Sequence, residues 1–297
     1  MTTIQTVVRR GTRLFGVVPL AAVLWNSAPA SAGSILGTAE PFATLGASTQ
    51  TNTGASTIQG DVGVYPGISI TGTGTITLVG SSVYHFDDAV AQGAETDATT
   101  AFNTLAALPF TTDLGTKILG TGGTVPTLSP GVYKFDSSAQ LNGMLTLSFS
   151  GASNEKFVFQ IGSTLTTASA SDVLVTGGNS TDSVYWQVGS SATLGTTTDF
   201  AGNIIALDSI SLNTGADILC GRAIALTAAV TMQANTISND CNAFNSGSGR
   251  SDSGSTGFSG ITSGATVPEP SSALLLVMGL IGLTAFVRID RHARPTR

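Results

Sequence analysis

The side chains that could do covalent chemistry are few and scattered. His85, in the strand-like run Val83-Tyr84-His85-Phe86, is the single histidine between residues 33 and 245, and a general base needs a nucleophile or acid within hydrogen-bond reach. There is no G-x-S-x-G turn, no H-E-x-x-H pair, no phosphate-binding G-x-x-x-x-G-K and no G-x-G-x-x-G. The aspartates could hold Ca²⁺ beside a basic residue that abstracts a proton, but Arg222 is the only basic residue in the last repeats of the body. The pattern points away from an enzyme, and no cofactor is expected. Cys220 and Cys241 fall near the ends of equivalent segments in successive repeats and are expected to form a disulfide, two buried thiols being the alternative. What remains is small hydroxyl side chains in rows.

Those rows sit on a repeat. Phe157-Val158-Phe159-Gln160-Ile161-Gly162 recurs as Val184-Tyr185-Trp186-Gln187-Val188-Gly189, and related apolar segments follow at 203–207 and 222–226. Each is followed by a second short strand, at 163–166, 191–194, 209–212 and 229–232. A third has Val173, Phe200, Ile218 and Ile237 as inward residues. Three short strands per repeat, punctuated by Gly, Asn and Ser, cannot bury a core alone but can when stacked. The expected fold is therefore an all-β, parallel β-solenoid, and the near-equal repeat disfavours an antiparallel sandwich. Residues 87–108 break the pattern. Asp87 can cap, Asp88 and Glu95 suit a helix start, and Ala94, Ala98, Phe102 and Leu105 recur at helical spacing before Pro109. One long α-helix should lie alongside the coils.

Of 297 residues, 41% are hydrophobic and only 10% charged, with a net charge of −6. That content supports a core and leaves no basic surface for nucleic acid. Much of the positive charge sits at the ends. Arg9, Arg10 and Arg13 precede an apolar run from Leu14 to Trp25 and a small-residue site Ala30-Ser31-Ala32, which reads as a signal peptide over residues 1–32. The body occupies 33–245 as one domain, and the Gly/Ser-rich stretch 246–266 reads as a linker. Residues 267–297 hold Pro268-Glu269-Pro270, an apolar run from Ala273 to Val287 and four spaced arginines. Fifteen helical residues cover about 22 Å, short for a permanent membrane span. This ending resembles the PEP-CTERM sorting signal of Gram-negative bacteria. The resemblance implies a membrane contact held only during export, cleavage near Pro268 to Pro270, and release to the surface or matrix; a tail anchor that stays is the alternative.

Along 35–240, the segments Leu36-Gly37-Thr38-Ala39, Phe42-Ala43-Thr44-Leu45-Gly46, Ile58-Gln59-Gly60-Asp61-Val62-Gly63-Val64, Leu128-Ser129-Pro130-Gly131-Val132-Tyr133, 157–162 and Trp186-Gln187-Val188-Gly189-Ser190 resemble, in order, the microbial ice-binding protein family. The resemblance implies an irregular right-handed β-helix of triangular section with a helix alongside, and a secreted protein that adsorbs to an ice crystal surface without catalysis and inhibits its growth or recrystallisation. Many active members carry T-A/G-x-T/N on one face. The matching positions here are Ser169-Ala170-Ser171-Asp172, Thr196-Thr197-Thr198-Asp199, Thr214-Gly215-Ala216-Asp217 and Gln233-Ala234-Asn235-Thr236, with Thr53-Gly54-Ala55-Ser56-Thr57 in an earlier coil. The implied contact residues are thus Ser56, Thr57, Ser169, Ser171, Asp172, Thr196, Thr198, Asp199, Thr214, Asp217, Asn235 and Thr236.

Asp172, Asp199 and Asp217 depart from that pattern. Each precedes an inward residue, so alternation puts the three carboxylates outward in one column. Strongly hydrated charges one rung apart suit an ice-like water layer poorly. Either the face still binds through Thr and Ser, or a neighbouring face bearing Thr164, Thr166, Thr193, Ser211 and Thr231 takes over. A further alternative is a matrix or adhesion protein that holds extracellular polysaccharide or a divalent cation through the aspartates. Ordinary solvent-facing surface would also explain the Ser/Thr rows.

Overall fold

A computed structural model describes residues 34–242 and 257–260. The predicted signal peptide, the sorting signal and most of the predicted linker lie outside the described residues.

The body is a stack of coils, each made of three short strands that form three sides. The repeat seen in the sequence is a register in space: Phe157 pairs with Val184, Phe159 with Trp186 and Ile161 with Val188, in parallel. The first side contains Phe42–Gly46, Gly131–Phe135, Lys156–Ile161 and Ser183–Val188. The second runs through Ala139–Leu141, Leu165–Thr167, Ala192–Leu194, Ile210–Leu212, Val230–Gln233, Thr49–Thr53 and Ser69–Thr71, in that spatial order. The third contains Met144–Ser148, Asp172–Thr176, Thr236–Ser238, Ser56–Gln59 and Ile76–Val79. Asp199–Ala206 and Asp217–Ala225 are long strands that carry the third side of one coil around a corner into the first side of the next. The register shift between Phe200 and Ala201 marks that corner.

Alternation fills the inside. Val173, Phe200, Ile218 and Ile237 are fully buried, as their positions in the repeat require. A stacked column of Phe159 and Trp186, with centroids 3.8 Å apart, packs in the same core. Cys220 and Cys241 are bonded, with Cα atoms 4.6 Å apart.

The order of the coils does not follow the chain. The first coil stacks on the last: Thr44 pairs with Ala223, Thr51 with Thr231 and Ile58 with Ile237. Residues 61–79 add one coil outside it. The chain then crosses to the other end of the stack, where Thr112–Asp113 pairs with Tyr133 and Lys134, and builds back toward its start. The crossing is the one α-helix among the described residues, α1 (Ala89–Ala106). Its length of about 27 Å covers between five and six rungs at about 4.8 Å each.

Asp88, not Asp87, caps the helix, accepting the Ala91 N–H at 2.8 Å; Asp87 takes a left-handed φ of 47° at the entry turn. The helix also stops short of the expected residue 108. There Gln160 Nε2 donates to the carbonyls of Leu105 and Leu108 at 2.7 and 2.8 Å, satisfying groups that a helix end leaves open. Ala91, Ala94, Ala98, Ala101 and Leu105 form the buried stripe. Their small side chains let the helix lie close on the outer surface of the first side, against Phe42, Leu45, Val132, Val158, Tyr185, Ile205 and Ile224. The helix thereby removes one of the three sides from water. The second and third remain open.

Within the stretch expected to be linker, Gly257, Phe258, Ser259 and Gly260 are part of the body. Phe258 is fully buried and stacks on Phe149 at 6.2 Å.

Candidate functional site

The third side carries the predicted carboxylate column. Asp172 pairs with Asp199, and Asp199 with Asp217, residue for residue. The column continues through Thr236, Thr57 and Thr77. Burial pushes the Asp217 carboxyl up to about 6, against the Thr236 N–H that favours its charged form, and the Asp199 charge pushes the same way as burial. Among the described residues no group of three or more His, Cys, Asp or Glu could hold a metal ion. The aspartate column is a row of three outward carboxylates, Asp199 exposed and Asp172 and Asp217 partly buried.

The second side is different. Its central outward column reads Gln140, Thr166, Thr193, Ser211, Thr231, Thr51 and Thr71, each paired with the next across one rung. Two residues earlier in each coil, Ser138, Thr164, Ser191, Ser209, Ala229, Thr49 and Ser69, at or just before the strand starts, make a parallel column. Hydroxyls meet along it: Thr164 Oγ1 donates to Ser138 Oγ at 2.8 Å, and Ser191 and Ser209 Oγ lie 3.1 Å apart. Neither column contains a charge. Spacings of about 4.8 Å between rungs and about 6.7 Å between alternate residues on a strand make it a two-dimensional grid. The buried Leu165, Ala192, Ile210 and Val230 back it from inside, so it is held by the core and not by loops.

The predicted T-A/G-x-T/N segments do not lie on one face; they turn the corner between the second and third sides. Ala170, Thr197, Gly215 and Ala234 occupy the left-handed region, with φ of 56°, 54°, 66° and 53°, and Gly54 stands in the same column at 76°. The residue before each, Ser169, Thr196, Thr214 or Gln233, is on the outside of the corner, and Thr214 Oγ1 donates to Gln233 Oε1 at 3.1 Å. The residues after Ala170, Thr197, Gly215 and Ala234, namely Ser171, Thr198, Ala216 and Asn235, point inward, whereas after Gly54 an exposed Ala55 comes before the inward Ser56. Ser56, Ser171, Thr198 and Asn235, four of the implied contact residues, are buried, so their side chains do not face a surface. They hold the corner instead: Thr198 Oγ1 lies 2.8 Å from Thr167 Oγ1, and Asn235 Nδ2 donates to the carbonyls of Asn213 and Ala216 at 2.9 and 2.8 Å. Ser56 Oγ donates to Asn52 Oδ1 at 2.6 Å, and Ser171 Oγ to Leu141 O at 3.3 Å. Thr57, Asp172, Asp199, Asp217 and Thr236 are outward, but on the third side. The prediction therefore divides across an edge, and the grid on the second side contains none of its residues. Strict alternation around the inward Leu165, Ala192, Ile210 and Val230 is the signal that finds the grid.

His85 and Arg222 are tied into the fold. His85 Nδ1 lies 2.7 Å from Asp88 and its ring packs on Phe42, tying the end coil to the helix cap. Arg222 is 1% exposed; its Nε and Nη2 donate to Glu40 O at 2.9 and 2.6 Å, and Nη1 donates to Asn203 Oδ1 at 2.8 Å. It is not placed to act on a substrate at the surface.

A family model described as Ice-binding-like matches residues 44–238. An ice-binding protein of Nostoc sp. (strain HG1) is 47% identical over 259 residues, covering 87% of this chain and 88% of that protein. One from Flavobacterium frigoris (strain PS1) is 34% identical, over 68% of this chain and 75% of its own length. Among solved structures, an ice-binding protein from the Antarctic ascomycete Antarctomyces psychrotrophicus superposes with a TM-score of 0.64 at 39% identity, covering 69% of this chain and 97% of that one. Another from an Antarctic biological consortium gives 0.62 at 43%, covering 69% and 90%.

Proposed function

The chain belongs to the ice-binding-like family, and on that premise we propose that it adsorbs to ice through the second side of its coils, inhibiting crystal growth or recrystallisation. The observation that carries this is the uncharged grid in register over seven rungs, whose central column is Thr or Ser in six of them. A threonine offers a methyl group that water must order around and a hydroxyl that joins the ordered layer. On a rigid sheet these positions act together, because the entropy of immobilising one body is incurred once for the whole array. The third side, with Asp172, Asp199 and Asp217 in its centre, interrupts such a layer with hydrated charge. The corner residues Ser169, Thr196 and Thr214 extend the grid by one column at its edge.

In this reading residues 1–32 direct export and 267–297 act as the sorting signal, which places the body at the surface of a Gram-negative cell or in its matrix. The disulfide suits that oxidising setting. The coils wind right-handed, as parallel crossovers almost always do.

The test is ice shaping and recrystallisation by the purified protein, with Tyr placed on each side in turn. Thr166→Tyr and Thr193→Tyr should abolish crystal faceting and weaken recrystallisation inhibition by on the order of tenfold, the effect of about 1.4 kcal/mol. Thr57→Tyr, on the third side, should leave both unchanged. The reverse outcome moves the binding surface to the aspartate side. Loss of activity in none of them removes both open sides.

A further inference from the structure

Beside the C-terminal half of α1, where the first side turns toward the second, runs a groove of about 370 Å³. That volume lies within the range of small-molecule sites, about 300–1,000 Å³. Phe102 and Ala106 of the helix and Leu207, 39% exposed, give the groove carbon surface. Gln160 and Gln187 give it amides, and Lys134 and Asp136 line it as well.

The amides are under-used. Gln187 is 7% exposed, yet its side chain makes no hydrogen bond to a described residue, and neither of its polar atoms is sealed from water. Gln160 pairs with it one rung away. The Gln160 Nε2 is committed to the carbonyls of Leu105 and Leu108, whereas its Oε1 accepts nothing among the described residues. Polar groups this far out of water cost free energy unless they are partnered. One NH₂ and two carbonyl oxygens are therefore left over at the groove, on adjacent rungs about 4.8 Å apart.

The surroundings narrow what could partner them. Lys134 Nζ is paired with Asp136 Oδ1 at 2.7 Å, so neither ion is left over to hold a charged ligand. The strands 131–135, 156–161, 183–188 and 199–206 pair in register with one another, so no strand edge is open here to add an extended peptide. A sugar hydroxyl donates and accepts at once, which matches an amide that offers N–H and C=O together. The C–H face of a sugar ring also covers the carbon of Phe102 and Leu207, taking it from water.

We infer that this groove binds a neutral pyranose sugar through the Gln187 amide and the Gln160 carbonyl. It lies at the corner beside the grid: Gly162 and Gly189, which line it, are followed two residues on by Thr164 and Ser191. It uses none of the grid's residues, so it stands independently of the ice reading.

The test is saturation-transfer NMR and titration calorimetry on the purified protein with cellotriose, maltotriose, mannotriose and glucose. An open groove with so few polar contacts should give millimolar affinity for at least one of them. Gln187→Leu keeps the bulk and removes the amide, and should weaken binding by about tenfold with the melting temperature unchanged. Ala106→Trp narrows the groove from an exposed position on the helix and should weaken it as much; it decides the matter if Gln187→Leu does not fold. A trisaccharide bound more tightly than glucose identifies the ligand as a residue within a glycan chain, and equal binding identifies a free sugar; either supports the inference. No binding of any of the four at about 20 mM, or binding unmoved by Gln187→Leu in a folded protein, overturns it. Trigalacturonate bound more tightly than every neutral sugar overturns the neutral class.

Discussion

Asp217 stands one rung from Asp199, residue for residue, and accepts the backbone N–H of Thr236 on the following rung at 2.6 Å. A carboxylate is thus used as a ladder element between two coils, half out of water, beside another of the same sign. Folding raises its pKa to about 6, first through burial and further through the Asp199 charge.

The folded state then holds a proton on Asp217 between about pH 4 and 6 where the unfolded chain has lost it, so stability falls as pH rises through that window. Asp217→Asn keeps an acceptor for Thr236 without the charge. It should stabilise the protein by about 1–2 kcal/mol at pH 7, allowing for solvent screening, and by nothing near pH 3.5. Melting temperatures of both proteins from pH 3.5 to 8 decide it. Parallel curves would show that the carboxylate is not strained by folding.

Glu95 lies in the buried alanine stripe of α1 and is 8% exposed, with Oε1 lacking a hydrogen-bond partner. Burial pushes it up to about 8, so it is protonated at neutral pH in the folded protein and ionised when unfolded. Stability should decline from about pH 4.5 to 8 for this reason, and Glu95→Gln should flatten that decline, leaving the variant more stable by about 2 kcal/mol at pH 9. Urea midpoints at pH 5, 7 and 9 measure it. An unchanged slope would place the pH dependence elsewhere.

The Cys220–Cys241 bond closes a loop of 21 residues spanning one coil. Its removal by Cys220→Ala with Cys241→Ala should cost about 3 kcal/mol, mainly by freeing the unfolded chain. Alkylation of the untreated protein should add no mass until it is reduced. Labelling without reduction would contradict the bond.

Phe258 fills space that the coils leave at their corner, against Phe149. Phe258→Ala should cost about 3–5 kcal/mol, and a chain ending at residue 245 should melt lower by a similar amount. Ice shaping at low temperature should survive in Phe258→Ala, since the grid lies across the section from it. A melt unchanged by either alteration would show that the last four described residues add nothing to the body.

Local rules made much of this protein legible from its residues. Alternation with period two is a property of a single strand, so Val173, Phe200, Ile218 and Ile237 could be assigned inward and the three aspartates outward without knowing the neighbours. The helix announced itself by the spacing of Ala94, Ala98 and Leu105. The expected contact residues fared worse at one kind of position. Ala170, Thr197, Gly215 and Ala234 adopt left-handed backbone, which breaks the alternation, and the residues after them turn inward as corner staples. No propensity marks an alanine or a threonine for φ near 55°; the stacking of five such turns holds them there.

The residue pattern alone determined that the chain folds into stacked parallel coils with an apolar interior, a lateral helix and outward rows of hydroxyls and carboxylates, because each of these follows from short-range periodicity. Only the tertiary structure decided which coils touch, which side the helix covers, and that a distant phenylalanine completes the corner. Rungs of similar coils are interchangeable as far as local sequence can tell. Thr51 finds Thr231 and Phe258 finds Phe149 only because the helix carries the chain to the far end of the stack and sends it back. The same closure leaves the Thr/Ser grid open to water and puts both ends of the body on the corner opposite.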